Sequence, residues 1–463
     1  MKCCYLVIAL LIAIASGGRA DVDDLPSQLQ YAPAPVDNPL KGLVPYQGDV
    51  RNRFPHSMEF TYLPYSALVK GYDTFDWNPL DEILNDIANR GHQAVIRVFL
   101  EYPGKAGAIP VFLVKDGLKT TKWVHTETQP HPAAVIETPD YKDTNLRRSL
   151  KSFIAAFGKR YDGDPRLGFL TAGLLGIWGE WHTYPREELF ANKVVQSEVM
   201  NAYEAAFKTT PVLLRYPAGA DDKTMAKNAD RKFGYHDDSF AWATLHTGKV
   251  ADGWYFMTIL KAAGPEAESK WITHPIGGEI RPEAWGKVFD DRPELSSIQD
   301  FRSCVEATHA TWMMDSGMFA REPPVDRLER AMTQVRRMGY EFHVPDVVIS
   351  RIINGKLDVK LKIENRGVAP FYYNWRPEYG LLANDEVMMT SPGTGKLTGL
   401  LPGGVPRLWA DTIDMGRMKA GTYTLAVRVP NPLVTGKPLR FANTTQSDAP
   451  AGWLWLGEVV IPR

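Results

Sequence analysis

Two glutamates stand in settings that suit proton transfer better than solubility. Glu180 lies in the run Gly176-Ile177-Trp178-Gly179-Glu180-Trp181-His182-Thr183, bracketed by two tryptophans. Aromatic neighbours lower the local polarity, which raises a carboxyl pKa and suits a general acid. Glu279 closes the run Pro275-Ile276-Gly277-Gly278-Glu279, and Arg281 follows two residues later. A guanidinium that close would keep the carboxylate ionised, as a nucleophile requires. Two carboxyl groups in opposite electrostatic environments are what cleavage of a glycosidic bond needs.

Around this pair the sequence offers groups that bind hydroxyls by hydrogen bonds or sugar faces by stacking. They are Tyr46, then Arg97 and Glu101 with Tyr102, then Trp178, Trp181 and His182 beside Glu180. Further on come Arg215 with Tyr216, the quartet Tyr235-His236-Asp237-Asp238, and His309 with Trp312. The substrate-binding set expected from these is Tyr46, Arg97, Glu101, Trp178, Trp181, His182, Arg215, Tyr235, His236, Asp237 and Trp312. No metal or other cofactor is expected. Three consecutive residues such as His236-Asp237-Asp238 cannot all reach one ion, and no Cys/His cluster has zinc spacing.

The elements that must position these groups alternate in type. Apolar residues stripe one helix face at Leu80, Ile83, Leu84 and Ile87, and another at Leu146, Leu150, Phe153, Ile154 and Phe157. Between such stripes lie short apolar runs suited to buried parallel strands. Eight are expected, near 40–46, 58–63, 93–100, 170–178, 211–216, 232–236, 271–279 and 307–314. Eight strand–helix units over some 300 residues predict a (β/α)₈ TIM barrel, α/β in class, whose reacting groups lie where the strands end. A doubly wound sheet is the alternative, but no Gly-rich phosphate turn follows the first strand. Beyond Tyr340 the period becomes two: Leu357, Val359, Leu361 and Ile363 alternate with Lys356, Asp358, Lys360 and Lys362. That pattern predicts half-buried strands and a small all-β sandwich.

The expected organisation is a signal peptide over 1–20, a glycosidase-like barrel over 21–342 and a β-sandwich over 343–463. The signal is read from Lys2, an apolar run too short to span a bilayer, and the small-residue end Gly18-Arg19-Ala20. It predicts a secreted or periplasmic protein without a membrane span once the signal is removed. Cys304 is then the one remaining cysteine, so no intramolecular disulfide forms. The 53 basic and 54 acidic residues of the 463-residue chain give a net charge of -1, which argues against nucleic acid as partner.

The pattern of a glutamate ending strand four and another ending strand seven resembles the large TIM-barrel clan of retaining glycoside hydrolases. That resemblance implies retaining hydrolysis, with Glu180 as acid/base and Glu279 as nucleophile. It covers about residues 38–339. The segments NPLKGLVPY from Asn38, GLLGIWGEWH from Gly173 and WLWLGEVVI from Trp453 look like a secreted bacterial family of unknown function with such a barrel and a C-terminal β-sandwich. One departure stands out: the clan has Asn before its acid/base, and this chain has Gly179. The function expected is a secreted glycoside hydrolase acting on an extracellular oligo- or polysaccharide. The alternatives are a non-catalytic glycan-binding protein on the same barrel, or a lyase or transglycosidase.

Overall fold

The computed structural model describes residues 27–48, 54–126, 133–416 and 418–462. The expected signal segment lies outside them. Eight parallel strands form one sheet: β1 (Gly42–Val44), β2 (Met58–Pro64), β3 (Gln93–Phe99), β4 (Leu167–Thr171), β5 (Val212–Leu214), β6 (Gly234–Phe240), β7 (Ile276–Ile280) and β8 (Trp312–Met314). The pairing runs β1-β8-β7-β6-β5-β4-β3-β2. A bridge between Tyr46 and Phe60 joins the two ends. The sheet is a closed TIM barrel.

Helices on its outside include α1 (Asn78–Asn89), α2 (Thr144–Tyr161), α3 (Lys193–Ala206), α4 (Phe256–Ala262), α5 (Phe301–Thr308) and α6 (Val325–Arg336). The stripe read from sequence on α2 is fully buried, and Asp143 caps the helix by accepting from the Leu146 amide at 2.8 Å. No helix forms between β5 and β6. Asn228 organises that connection instead: its Nδ2 donates to Tyr216 O at 2.8 Å, and its Oδ1 accepts from Ala218 N at 3.0 Å.

Several strands are shorter or shifted against expectation. The longest overreach is strand four, which stops at Thr171 rather than near Trp178. Residues 172–182 are an irregular loop with positive φ at Gly173, Leu174, Gly176, Trp178, Gly179 and Trp181. An apolar run does not by itself make a strand where the backbone must turn so often.

Seven longer strands make up the C-terminal region: β9 (Phe342–Ile349), β10 (Lys356–Asn365), β11 (Glu378–Ala383), β12 (Glu386–Pro392), β13 (Arg407–Asp414), β14 (Gly421–Arg428) and β15 (Leu454–Ile461). They form two antiparallel sheets, β9-β10-β13 and β12-β11-β14-β15. Residues Ser27 and Gln28 pair with β9 and so extend the first sheet, not the barrel. The inward alternation of β10 is buried in one apolar cluster with Leu381, Leu425 and Leu454 of the other sheet. That cluster continues into the barrel interior through Phe60, Val95, Phe169 and Trp312. The region beyond residue 342 therefore closes the N-terminal end of the barrel, with the Tyr373 ring 6.3 Å from Phe169. The C-terminal ends of the barrel strands are left uncovered by it. We propose residue 342 as the boundary between two domains, with residues 27–28 counted with the second.

Candidate active site

Barrel strands alternate inward and outward, and this parity sorts the candidate residues. On β3, Ala94, Ile96 and Val98 pack against the outer helices, so Arg97 points in. On β6, Tyr235 packs outward, and His236 and Asp238 turn inward. On β7, Ile276 and Ile280 pack outside, and Glu279 faces in. Gly277, two residues before it, also faces in: a Cβ there would meet the Trp312 indole at 2.2 Å.

Of these inward groups, Asp238 and Glu279 border a cavity of about 1120 Å³. Its lining comes from on or just past the C-terminal ends of β1 to β7: Tyr46, Tyr62, Tyr102, Trp178, Glu180, His182, Arg215, Tyr216, Asp238 and Glu279. More distant loops add Lys105, His125, Tyr184, Glu187, Trp254, Arg281, Glu283 and Trp285. The aromatic side chains meet edge to face, Tyr46 to Trp285 at 6.0 Å and Tyr62 to Tyr102 at 5.8 Å. Sequence reasoning did not find Tyr62, His125, Tyr184, Trp254 or Trp285. Tyr62 sits inside a strand, His125 ends a strand of the hairpin Thr120–His125/Ala134–Pro139, and the others come from long loops with no periodic signal.

Arg97 is the hub. Almost wholly buried, it donates to Glu180 Oε1 at 3.1 Å, to Asp238 Oδ1 at 3.1 Å and to Thr171 Oγ1 at 2.9 Å. Its guanidinium also lies 5.4 Å from the Phe60 ring centre. His182 Nε2 stands 3.6 Å from the other oxygen of Glu180. Asp238 Oδ1 also meets His236 Nδ1 at 3.0 Å. Burial pushes the Asp238 carboxyl up, but the charges of Arg97, His236 and Arg215 outweigh it and hold it well below the usual range.

Glu279 is in the opposite position. Among the described residues it has no ion-pair partner. Burial, then the negative charges of Asp238 and Glu180, push its carboxyl well up, against a smaller pull from Arg97 and Arg215. Arg281, expected to keep it ionised, is engaged elsewhere: it donates to Glu283 at 3.1 Å and lies 5.1 Å from the Trp242 ring centre.

Seven expected contact residues do not border the cavity, and five of them lie away from it. Tyr235 is buried outside the barrel, where its hydroxyl donates to Asn228 at 2.9 Å. Asp237 also points outward and accepts from Thr244 Oγ1 at 2.7 Å. Trp312 fills the barrel interior against Phe169, 5.9 Å away. Trp181 is core, its indole donating to Gly173 O at 3.0 Å. Glu101 is buried behind the site, accepting hydrogen bonds from Thr138 and Tyr141. The first three follow from strand parity or depth, and the last two from the direction the loops take. His309 is farther still, stacked on Trp271 at 3.6 Å. Tyr46, Trp178, His182 and Arg215 do line the cavity, while Arg97 and His236 lie directly beneath it, bonded to Asp238.

Glu101 still bears on the site. Tyr141, which donates to it, accepts from the Gly176 amide at 2.7 Å, and Trp178 N donates to Glu101 O at 2.9 Å. These bonds pin the loop that delivers Glu180. The same loop explains Gly179. Its φ is +73, and a Cβ there would meet Gly173 Cα at 3.0 Å and Val98 O at 3.1 Å. An asparagine in that place would be strained and crowded, so the clan's Asn-Glu arrangement is not reproduced here.

At the other end of the barrel, His56, Glu59 and His92 are close enough to share a metal ion. Arg90 already engages both Glu59 oxygens, at 2.8 and 2.7 Å, and His92 Nδ1 lies 2.8 Å from Oε1. That set reads as a closed ion-pair network.

No family model matches the chain, and no curated protein does. Solved structures do align with it. The endo-glycoceramidase II from Rhodococcus sp. is 9% identical over 82% of this chain and 99% of its own, with a TM-score of 0.38. The Pseudomonas stutzeri endoglucanase Cel5A is 10% identical over 65% of this chain and 97% of its own, with a TM-score of 0.37. Likeness at this level carries no argument about activity. The barrel rests on the strand order and closure described above.

Proposed function

We propose that the chain is an exported glycoside hydrolase acting on an oligo- or polysaccharide, with Glu180 and Glu279 as its reactive pair. The observation that carries this reading is their meeting in one aromatic-walled cavity at the C-terminal end of the barrel, in unlike environments. Export rests on the N-terminal sequence alone. Among the described residues no helix is long and apolar enough to cross a membrane.

The environments favour roles opposite to those the clan resemblance implied. A buried, unpaired Glu279 enters the reaction protonated and gives its proton to the glycosidic oxygen as the C1–O bond breaks. Glu180, paired with Arg97, is the carboxylate that attacks C1 or takes a proton from water. The stereochemistry of the product separates those two routes: retention corresponds to carboxyls about 5–5.5 Å apart, inversion to roughly 6.5–9.5 Å.

The test is release of reducing ends from a broad glycan panel by wild type, Glu180→Ala and Glu279→Ala. Activity that disappears in both folded variants supports the pair. Glycosides with activated aryl leaving groups then assign the roles, because they need no protonation. Glu279→Gln is expected to retain them as substrates and Glu180→Gln to lose them. The aromatic wall by itself equally suits a non-catalytic glycan-binding protein, and saturable binding without turnover would favour that second reading.

A further inference from the structure

We propose that Trp254 is the platform of an outer sugar subsite, so that the ligand is an oligosaccharide chain reaching beyond the ring at the reactive pair. The inference rests on the carbohydrate reading above. It adds the length of glycan that is recognised and the side of the barrel over which the chain leaves.

The aromatic side chains around the cavity fall into two groups. Tyr46, Tyr62, Tyr102, Trp178 and Trp285 are half-buried and touch in one continuous series. Trp285 meets Tyr46 at 6.0 Å, Tyr46 meets Tyr62 at 6.3 Å, Tyr62 meets Tyr102 at 5.8 Å and Tyr102 meets Trp178 at 6.5 Å. Tyr184 and Trp254 stand apart from that series and are exposed, Trp254 at 49%. Tyr184 donates its amide to His182 Nδ1 at 3.3 Å and so belongs to the loop of Glu180. Trp254 comes from the side of β6, at the end of the loop that leads to α4. Its ring contact is with the neighbouring Tyr255, at 5.1 Å and nearly perpendicular.

A solitary exposed apolar side chain needs no ligand to explain it. Trp254 differs from that case in two respects. It stands on the wall of the cavity that also holds Glu180 and Glu279. Its place is also built. Asp252, itself buried, accepts from the Thr247 amide at 2.6 Å, the Thr247 hydroxyl at 2.7 Å and the Lys249 amide at 3.3 Å. The Tyr255 amide donates to Asp252 O at 3.0 Å, and the Phe256 amide to Ala243 O at 2.9 Å. Phe256 is anchored in the apolar core outside the barrel. The chain is thus tied on both sides of Trp254, and an indole carried on a fixed backbone has less freedom to lose when a ligand packs on it.

The occupant follows from the shape of the site. A sugar ring presents C–H groups on its faces and hydroxyls around its edge, and an open indole face suits the former. The cavity of about 1120 Å³ exceeds the roughly 300–1,000 Å³ that encloses a drug-sized ligand, so one ring at the reactive pair leaves most of it unfilled. A chain of rings fills it, and the ring that reaches Trp254 lies outside the one whose bond is cleaved.

The probes are ladders from dimer to hexamer prepared from cellulose, mannan, xylan and chitin. Glycosyl fluorides of the same sugars serve as substrates that carry no second ring. The ladders are read as kcat/KM with active Glu180, and calorimetrically as Kd in the Glu180→Gln background, each with and without Trp254→Ala. With Trp254 present, both measures are expected to improve with chain length and then level off once the outer subsite is filled. Trp254→Ala is expected to cost about 30-fold on the longest chains, the scale of a tryptophan truncated at an interface hot spot, and only a few-fold on dimers and fluorides. Trp254→Phe keeps a ring and is expected to recover most of the loss. Unchanged denaturation midpoints exclude misfolding as the cause. A loss equal on fluoride and hexamer overturns the subsite, as does the absence of loss on every chain, and both leave the glycosidase reading standing. Binding that strengthens with chain length and weakens in Trp254→Ala, without turnover by wild type, supports the subsite and moves it to the glycan-binding reading. Neither turnover nor binding of any probe overturns both.

Discussion

The two ends of this barrel both bury charge, and they do so in opposite ways. At the N-terminal end, Glu59 accepts two hydrogen bonds from Arg90 and meets His92 at 2.8 Å. Burial pushes its carboxyl up, but His92 and Arg90 overcome that and hold it down at about 2. At the C-terminal end, Glu279 is buried beside two other acids with no cation of its own, and it is pushed well up. Asp238 and Arg215 each keep an unmade polar atom. A closed network spends its electrostatics on holding strands together. An open one leaves a buried carboxyl without a cation of its own, an arrangement that perturbs its pKa and that active sites use at a cost in stability. The contrast fits a structural role for the lower cluster and the catalytic role proposed for the upper one, though both combine acids with His and Arg.

Substitutions can sharpen or break this contrast. The largest expected effect is on turnover: Glu180→Gln and Glu279→Gln should each lower kcat on unactivated glycans by about 10³-fold or more, measured as reducing-end release. Next is Arg90→Met, which leaves Glu59 buried without its guanidinium. It should cost about 3–5 kcal/mol in urea denaturation and leave the Km for glycan unchanged. An equal loss of substrate affinity would show that the lower end is not merely structural.

Glu101 gives a smaller, pH-dependent effect. Burial raises its carboxyl to about 7, despite opposing hydrogen bonds from Thr138 and Tyr141. Its folded pKa lies above its unfolded one, near 4.3, so the folded state binds the proton more tightly. Its contribution to stability is then full below about pH 4 and falls as pH rises to about 7, by on the order of 3 kcal/mol. Glu101→Gln should flatten that part of the stability–pH curve. Gly179→Ala, at positive φ against the Gly173 backbone, should cost about 1–3 kcal/mol and lower kcat by displacing Glu180. The smallest effect carries the most diagnostic sign. Replacing the unpaired Glu279 by Gln should raise stability at pH 7 by about 1 kcal/mol, whereas Glu59→Gln should lower it. A loss in both variants would remove the distinction between the two ends.

The sequence by itself determined a good deal. Apolar stripes and runs marked the helices and the eight barrel strands, because burial of one helix face or of a whole strand demands those periods. The change to period two after Tyr340 marked the C-terminal sheets for the same reason. The list of strand ends also brought Glu180, Glu279, Arg97, Arg215 and Asp238 into view, since a parallel barrel gathers its loops at one face. What the sequence did not decide was direction and partnership. Tyr235 and Asp237 differ from His236 and Asp238 by one residue each, and strand register sends them to opposite sides of the wall. Arg281 is close to Glu279 in sequence, yet its ion pair is with Glu283. The guanidinium that pairs with Glu180 belongs to Arg97, 83 residues away along the chain. Proximity in sequence says little about electrostatics, because fields act through space and burial. Only the closed barrel, which brings seven strand ends around one cavity, decides which carboxylate is paired and which is left alone.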